Sequence, residues 1–189
     1  MGIEAAGCLL QYAKETQKAD LPHIQGIKIE LASESVILDA ATRKNLEIDF
    51  NFSGGRENTL ISIVDSTLTP MGKRLLSRWL NRPLKDRAKL EIRQNIVSSL
   101  IGNFQFEKIG DLLTGFGDLE RILARLGLRS ARPRDLTTIR ESLAILPNLQ
   151  RLLKDIDSPE ISLLAKRISE FPGQVDTLKK AIQDNPSSV

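Results

Sequence analysis

The sequence predicts a mainly α-helical protein: an irregular multi-helix core with one small β-hairpin near residues 27–38. Three observations predict it. Apolar residues recur at three- and four-residue steps along most of the chain, the spacing that collects them on one side of a helix. Prolines and side-chain caps stand where helices would begin, at Thr69-Pro70, Pro133, Ser158-Pro159 and Pro172. Only one stretch alternates with the period of a strand. There Ile27, Ile29 and Leu31 flank Lys28 and Glu30, and Val36-Ile37-Leu38 follows a polar turn.

Residues 3 to about 18 read as a first helix with Ala6, Leu9, Leu10 and Ala13 on one face. It starts abruptly, without a capping sequence. Cys8 lies beside that face and is expected to pack in the core, since no base or second cysteine stands by to activate it. Leu21-Pro22 ends the helix, and His23, with no companion residue to make a base or ligand, reads as a structural loop histidine.

Residues 38–84 are the stretch around which the rest is organised. They predict a short helix, a reversal at Gly54-Gly55, a second helix and a third. The second starts at Asn58 or Thr59, carries Leu60, Ile61, Ile63 and Val64, and breaks at Asp65-Ser66-Thr67. Thr69 caps the third, Pro70 fits its first turn, and Pro83 ends it. Met71, Leu75, Leu76, Trp79 and Leu80 make its apolar side; Lys73, Arg74, Ser77 and Arg78 take the other. The pattern is that of a packing hub, with no catalytic constellation.

Everything beyond is helical in pattern. Asp86 caps a helix running to Ile101 and stopped by Gly102-Asn103, and another spans Phe104 to Leu113 and closes at Gly115. Asp118 caps a third, in which Leu119, Ile122, Leu123 and Leu126 share a face with Arg121 and Arg125 alongside. Pro133 opens the next, which Pro147 is expected to interrupt. Ser158-Pro159 and Pro172 open the last two, and no internal repeat or low-complexity stretch appears.

At 189 residues the chain suits one or at most two domains and can bury a core. Its net charge of +3, from 27 basic and 24 acidic residues, is compatible with nucleic acid nearby but lacks the excess of a dedicated DNA-binding module. One cysteine cannot make an internal disulfide, and one histidine cannot make a metal site with it. No apolar run reaches membrane-spanning length and no signal peptide is legible, so the cytoplasm is the expected compartment.

Several motifs fail on inspection. Gly110 to Gly115 has the glycine spacing of a phosphate-binding loop, but Phe116-Gly117 follows where lysine and serine or threonine are needed. Gly115-Phe116-Gly117 lacks the third glycine of a dinucleotide fingerprint, and Asn51-Phe52-Ser53 is a glycosylation sequon of no meaning in the cytoplasm. Arg121, Arg125, Arg129, Arg132 and Arg134 form the one charged cluster. As a phosphate-binding face they would give salt-dependent DNA affinity. Nearby Asp118, Glu120 and Asp135, with no interleaved aromatics, favour ion pairs between neighbouring helices instead, and Arg43, Lys44, Arg74 and Arg78 read the same way.

Two blocks of sequence carry a family resemblance. The first runs through Asp39-Ala40-Ala41-Thr42-Arg43-Lys44-Asn45-Leu46-Glu47, then Gly54-Gly55-Arg56-Glu57-Asn58-Thr59-Leu60, then Thr69 to Leu80. The second runs from Gly117-Asp118-Leu119-Glu120-Arg121 through Ala131-Arg132-Pro133-Arg134-Asp135-Leu136. Both resemble the core, or lever, domain of MutS, the family of bacterial DNA mismatch-recognition ATPases, and the resemblance extends from about Ile3 to about Pro186.

The resemblance implies the first half of that core domain, residues 21–189, preceded at 1–20 by the last helix of a connector-type domain. It implies a piece of a longer protein, with Met1-Gly2 an added start and the DNA-gripping clamp inserted near Asn185-Pro186. The family's Phe-x-Glu mismatch reader and its P-loop are missing from this sequence. The fragment is therefore expected to be non-catalytic and to hold no cofactor, ATP and magnesium belonging to the parent. Its expected partners are the parent's other domains and, through the parent, mismatched DNA and a MutL-like protein. No membrane is expected; self-association of the fragment is. The residues that match the family imply interhelical and interdomain contacts: Arg43, Asn45, Leu46, Asn58, Thr59, Thr69, Met71, Gly72, Arg74, Leu75, Trp79, Asp118, Arg121, Arg132 and Asp135. The alternative is a stand-alone helical DNA-binding module using the arginine cluster.

Overall fold

Helices begin where the caps put them. In the computed structural model, which describes residues 2–18, 21, 24, 26, 27, 29, 32–102 and 104–186, side chains of Asp39, Thr59, Thr69, Asp118 and Ser158 each accept a backbone N–H of a first helical turn. The described residues form α1 (Gly2–Gln17), α2 (Ala40–Asn45), α3 (Leu60–Val64), α4 (Pro70–Asn81) and α5 (Arg87–Gly102). They continue as α6 (Gln105–Leu113), α7 (Leu119–Gly127), α8 (Pro133–Lys154), α9 (Pro159–Arg167) and α10 (Pro172–Ala181). The fold is mainly α.

Helix α8 is the axis. Helices α6, α7, α9 and α10 lie against it, and α5 packs on α6 and α9. Ile122, Ile139, Leu149, Ile156, Ile161 and Ala165 are buried around it, with Ile161 and Ala165 almost wholly removed from water. Away from α8 burial is sparse. Ile48 and Thr59 are buried where the 46–60 loop folds onto the start of α3, with Leu60 and Ile61 N–H groups donating to the carbonyls of Glu47 and Ile48.

Pro147 does not interrupt α8, which runs unbroken from Pro133 to Lys154 with the proline inside it. A proline there removes one rung of the hydrogen-bond ladder and costs about 3 kcal/mol. Packing by four neighbouring helices offsets that loss.

Two further expectations meet a different outcome. Cys8 is exposed, on a helix α1 that buries none of its described residues. Of the predicted hairpin, Lys28, Glu30 and Leu31 lie outside the described residues, as does His23. The described part carries a 3-10 turn at Ala32–Glu34 and an antiparallel bridge from Ser35 to Leu84. The Val36 N–H donates to the Pro83 carbonyl at 2.8 Å and the Lys85 N–H to the Glu34 carbonyl at 3.2 Å, so this pairing is with the residues that follow α4.

Arg140, on α8, is buried, and its guanidinium donates to the Ile182 carbonyl at 3.3 Å and reaches Asp184 at 2.9 Å. These contacts hold the segment after α10 against the axis helix.

Candidate interdomain contact site

The polar side of α4 is the side the protein grips. Arg74, Ser77 and Asn81 are three and four residues apart and so share a face. Asp49 accepts from the Ser77 hydroxyl at 3.3 Å and from Asn81 Nδ2 at 2.7 Å, fixing the 46–60 loop to the helix. Arg74 donates to both oxygens of Asp118, at 2.6 and 2.8 Å, and to Glu120 Oε2 at 2.6 Å through Nη2 and 3.0 Å through Nε. This planar two-bond arrangement is the strong form of a guanidinium–carboxylate pair. It joins segments 44 residues apart in sequence.

Asp118 sits where it does because of the glycine before it. A Cβ on Gly117 would overlap the Thr138 methyl, and one on Gly115 would come 2.6 Å from Ile145 Cδ1. The loop between α6 and α7 therefore touches α8 at a distance only glycine allows. The Gly117 N–H donates to Ser142 Oγ at 3.2 Å, and Ser142 is fully buried. Asp118 then performs two tasks at once, capping α7 through the Arg121 N–H and holding Arg74. The Arg74 hydrogen bonds hold its carboxyl below the usual carboxylate range, and the same bonds push the Arg74 guanidinium up.

The far end of α7 is tied in the same manner. Arg125 donates to both oxygens of Asp135, at 2.9 and 2.5 Å, and Asp135 also accepts the Arg132 N–H at 2.9 Å. Arg125 is the first cause of the depressed Asp135 carboxyl, with the Arg132 N–H adding to it. Arg121 approaches Asp118 at 3.5 Å. The cluster is thus engaged by acids at Arg121 and Arg125, while Arg129 and Arg134 are exposed.

Of the fifteen residues named from sequence, the structure brings together Arg74, Asp118 and Arg121 at one end of α7, and Arg132 with Asp135 at the other. Thr59 is fully buried, accepting from Ser62 N–H and donating to the Arg56 carbonyl, and Asn58 before it takes a left-handed turn conformation at φ 57°. Thr69 caps α4 through the Gly72 N–H at 3.0 Å, with Met71 half-buried beside it. Arg43, Asn45 and Leu46 lie on the exposed surface of α2 and its end, apart from this network. Leu75 and Trp79 are 46% and 40% exposed, so the apolar side of α4 is only partly covered.

Sequence reasoning missed Asp49 and Arg93. The pairing of Asp49 had a signal, since Ser77 and Asn81 stand one turn apart and both offer donors; the Arg93 guanidinium, 3.7 Å from the centre of the Trp79 ring, had none. Asn51 was passed over as a sequon, yet its side chain accepts the Gly55 N–H and donates to the Glu57 carbonyl, folding the loop before α3.

Among the described residues, no group of three or more histidine, cysteine or carboxylate side chains could hold a metal ion, and no helix is long and apolar enough to cross a membrane. A family model described as MutS domain III matches residues 41–189.

Proposed function

The chain belongs to the MutS domain III family, as a segment of a MutS-like mismatch-repair protein, and from that premise we propose that it is a structural core carrying force between domains. In this reading it joins the parts that bind mismatched DNA to the part that turns over ATP and magnesium, and performs no chemistry itself. The single observation that supports it is the relay from α4 through Arg74 and Asp118 to Gly117 and the axis helix α8. A relay of that kind moves α4 and α8 as one body, which a lever needs. Exposed apolar residues along α1, α4 and α5 add support, since single domains rarely leave such faces uncovered.

The same reading places residues 1–20 with a preceding connector-type domain, puts the parent in the bacterial cytoplasm, and gives it a MutL-like partner. It also expects the isolated chain to self-associate through its apolar faces. The stand-alone DNA-binding alternative draws less support, because Arg121 and Arg125 of its arginine cluster are occupied by Asp118 and Asp135.

The test uses the longer protein. ADP release is measured with and without mismatched duplex, for the unaltered protein and for Arg74→Gln. The lever reading expects the stimulation by DNA to change by roughly 2- to 30-fold, the span of about 0.5–2 kcal/mol of coupling. Identical stimulation in both proteins would show that the network only holds the fold. The isolated chain should give no saturable heat with ATP, and should bind matched and mismatched duplex with equal weakness.

A further inference from the structure

The core around α8 is divided at Pro147. Among the residues that α8 buries, Thr137, Ile139, Arg140 and Ser142 precede the proline and Leu149 follows it, and none of residues 143–148 is buried. The polar contacts divide at the same place. Before it, Asp135 holds Arg125 of α7, Ser142 holds the Gly117 N–H, and Arg140 holds the Ile182 carbonyl and Asp184. After it, Gln150 Nε2 donates to the carbonyls of Ala165, at 3.2 Å, and Ile168, at 2.7 Å, which seats the end of α9. Leu149, Ile156, Ile161 and Ala165 are buried on that side.

We propose that α8 is jointed at Pro147, with α7, α10 and the first half of α8 as one rigid part and α9 with the second half as the other. The proline has no N–H, so the Leu143 carbonyl loses its donor one turn ahead, and the ring crowds that carbonyl. Sharp bends in helices fall at such positions. Elsewhere a bend would pull buried side chains out of close packing; from 143 to 148 every residue is half-buried or exposed. Room for the movement is present. A groove of 350 Å³ runs along Leu143 and Pro147, with Phe171 and Val175 at the start of α10 across from them. Helix α5 also spans the two parts, packing on α6 and α9, but it buries none of its own residues, and its Asn95 reaches Glu160 only at 3.4 Å. The joint adds to the lever reading without depending on it. The relay from Arg74 meets α8 at Ser142, before the proline, so α4 travels with the first part and α9 turns against it.

Double electron–electron resonance on the 189-residue chain tests the joint. The exposed Cys8 is removed by Cys8→Ser, and nitroxide labels are attached through Arg134→Cys and Lys166→Cys, two exposed positions on opposite sides of Pro147. The same labels in Pro147→Ala, which restores the missing N–H, give the comparison. At 1.5 Å per residue Arg134 stands about 20 Å along α8 from Pro147, so a bend of about 20° moves its label by about 7 Å. The expected distance distribution is broader than that of Pro147→Ala by up to about 7 Å, with equal helical circular dichroism in the two chains. Equal widths, or a broader distribution in Pro147→Ala, would overturn the joint by placing the movement elsewhere or denying it. Loss of helical signal in Pro147→Ala would overturn it too, by making the ring a packing element. None of these results bears on the ADP-release test, so the joint and the lever reading fail separately.

Discussion

Arg74 and Asp118 meet in two parallel hydrogen bonds, and through them the α4 hub grips the first residue of the α7 cap. Each partner alone would be a solvated helix-surface charge. Together with Glu120 on the same helix, they fix α4 to the part of the molecule built on α8, and Leu68 of the preceding loop rests beside Gly110 of α6.

Arg74→Gln and Asp118→Asn should each lower the urea midpoint of the chain, and the double variant should lose clearly less than the sum. Neighbours that share one interaction are not additive. Additive losses would mean that the pair is screened and contributes nothing as a pair.

Acid should weaken the same contacts in a defined window. Asp118 and Asp135 have folded carboxyls depressed below the ordinary value of about 3.9, so their contribution is present above that pH and is lost as pH falls through the lower folded value. Stability measured from pH 5 downward should therefore fall less steeply in Asp118→Asn/Asp135→Asn than in the parent chain. Parallel curves would assign acid sensitivity to other groups.

Gly117→Ala should cost about 1–3 kcal/mol in equilibrium unfolding, because the Thr138 methyl cannot turn aside without breaking its hydroxyl's 2.9 Å bond to the Arg134 carbonyl. Gly115→Ala should cost less, since it meets only the flexible end of Ile145. A ranking in the opposite order would contradict this account of the loop.

Ile161→Ala should cost about 2–5 kcal/mol, as a nearly inaccessible side chain leaving a cavity beside α8. Trp79→Ala, at 40% exposure, should fall short of the roughly 3–5 kcal/mol of a fully buried aromatic. Denaturation of both variants at one pH decides it, and equal losses would place Trp79 in the core.

Local chemistry was legible wherever a short stretch determined it. Thr69, Asp118 and Ser158 cap as their positions relative to Pro70, Leu119 and Pro159 dictate. The ion pairs around α7 were legible too, because the acids stand within a turn or two of the arginines. What sequence could not tell was which side of α4 faces the protein. The apolar stripe argued for Leu75 and Trp79 inward, yet Arg74, Ser77 and Asn81 make the attachments, through Asp118 and Asp49 far away in sequence. Pro147 misled for a related reason: local propensity ends a helix there, and packing by distant helices keeps it whole. Glycines 115 and 117 looked like a failed nucleotide motif, and their purpose is visible only once Thr138 and Ile145 lie against them.

The clasp between Arg140 and Asp184 sets the order in which this molecule can come apart. Arg140 is 7% exposed, whereas the Asp184 side chain that answers its charge is 91% exposed and lies three residues beyond α10. Peeling α10 from the axis helix would withdraw the Ile182 carbonyl and Asp184 together, leaving the cation in the middle of α8 with Glu141, at 3.8 Å, in place of its closer 2.9 Å partner. The end of the described chain therefore behaves as a latch and not as a fraying tail. Proteases that trim exposed ends should stall at this point, and a chain shortened to Ala181 should loosen along the whole of α8 instead of at its last helix alone.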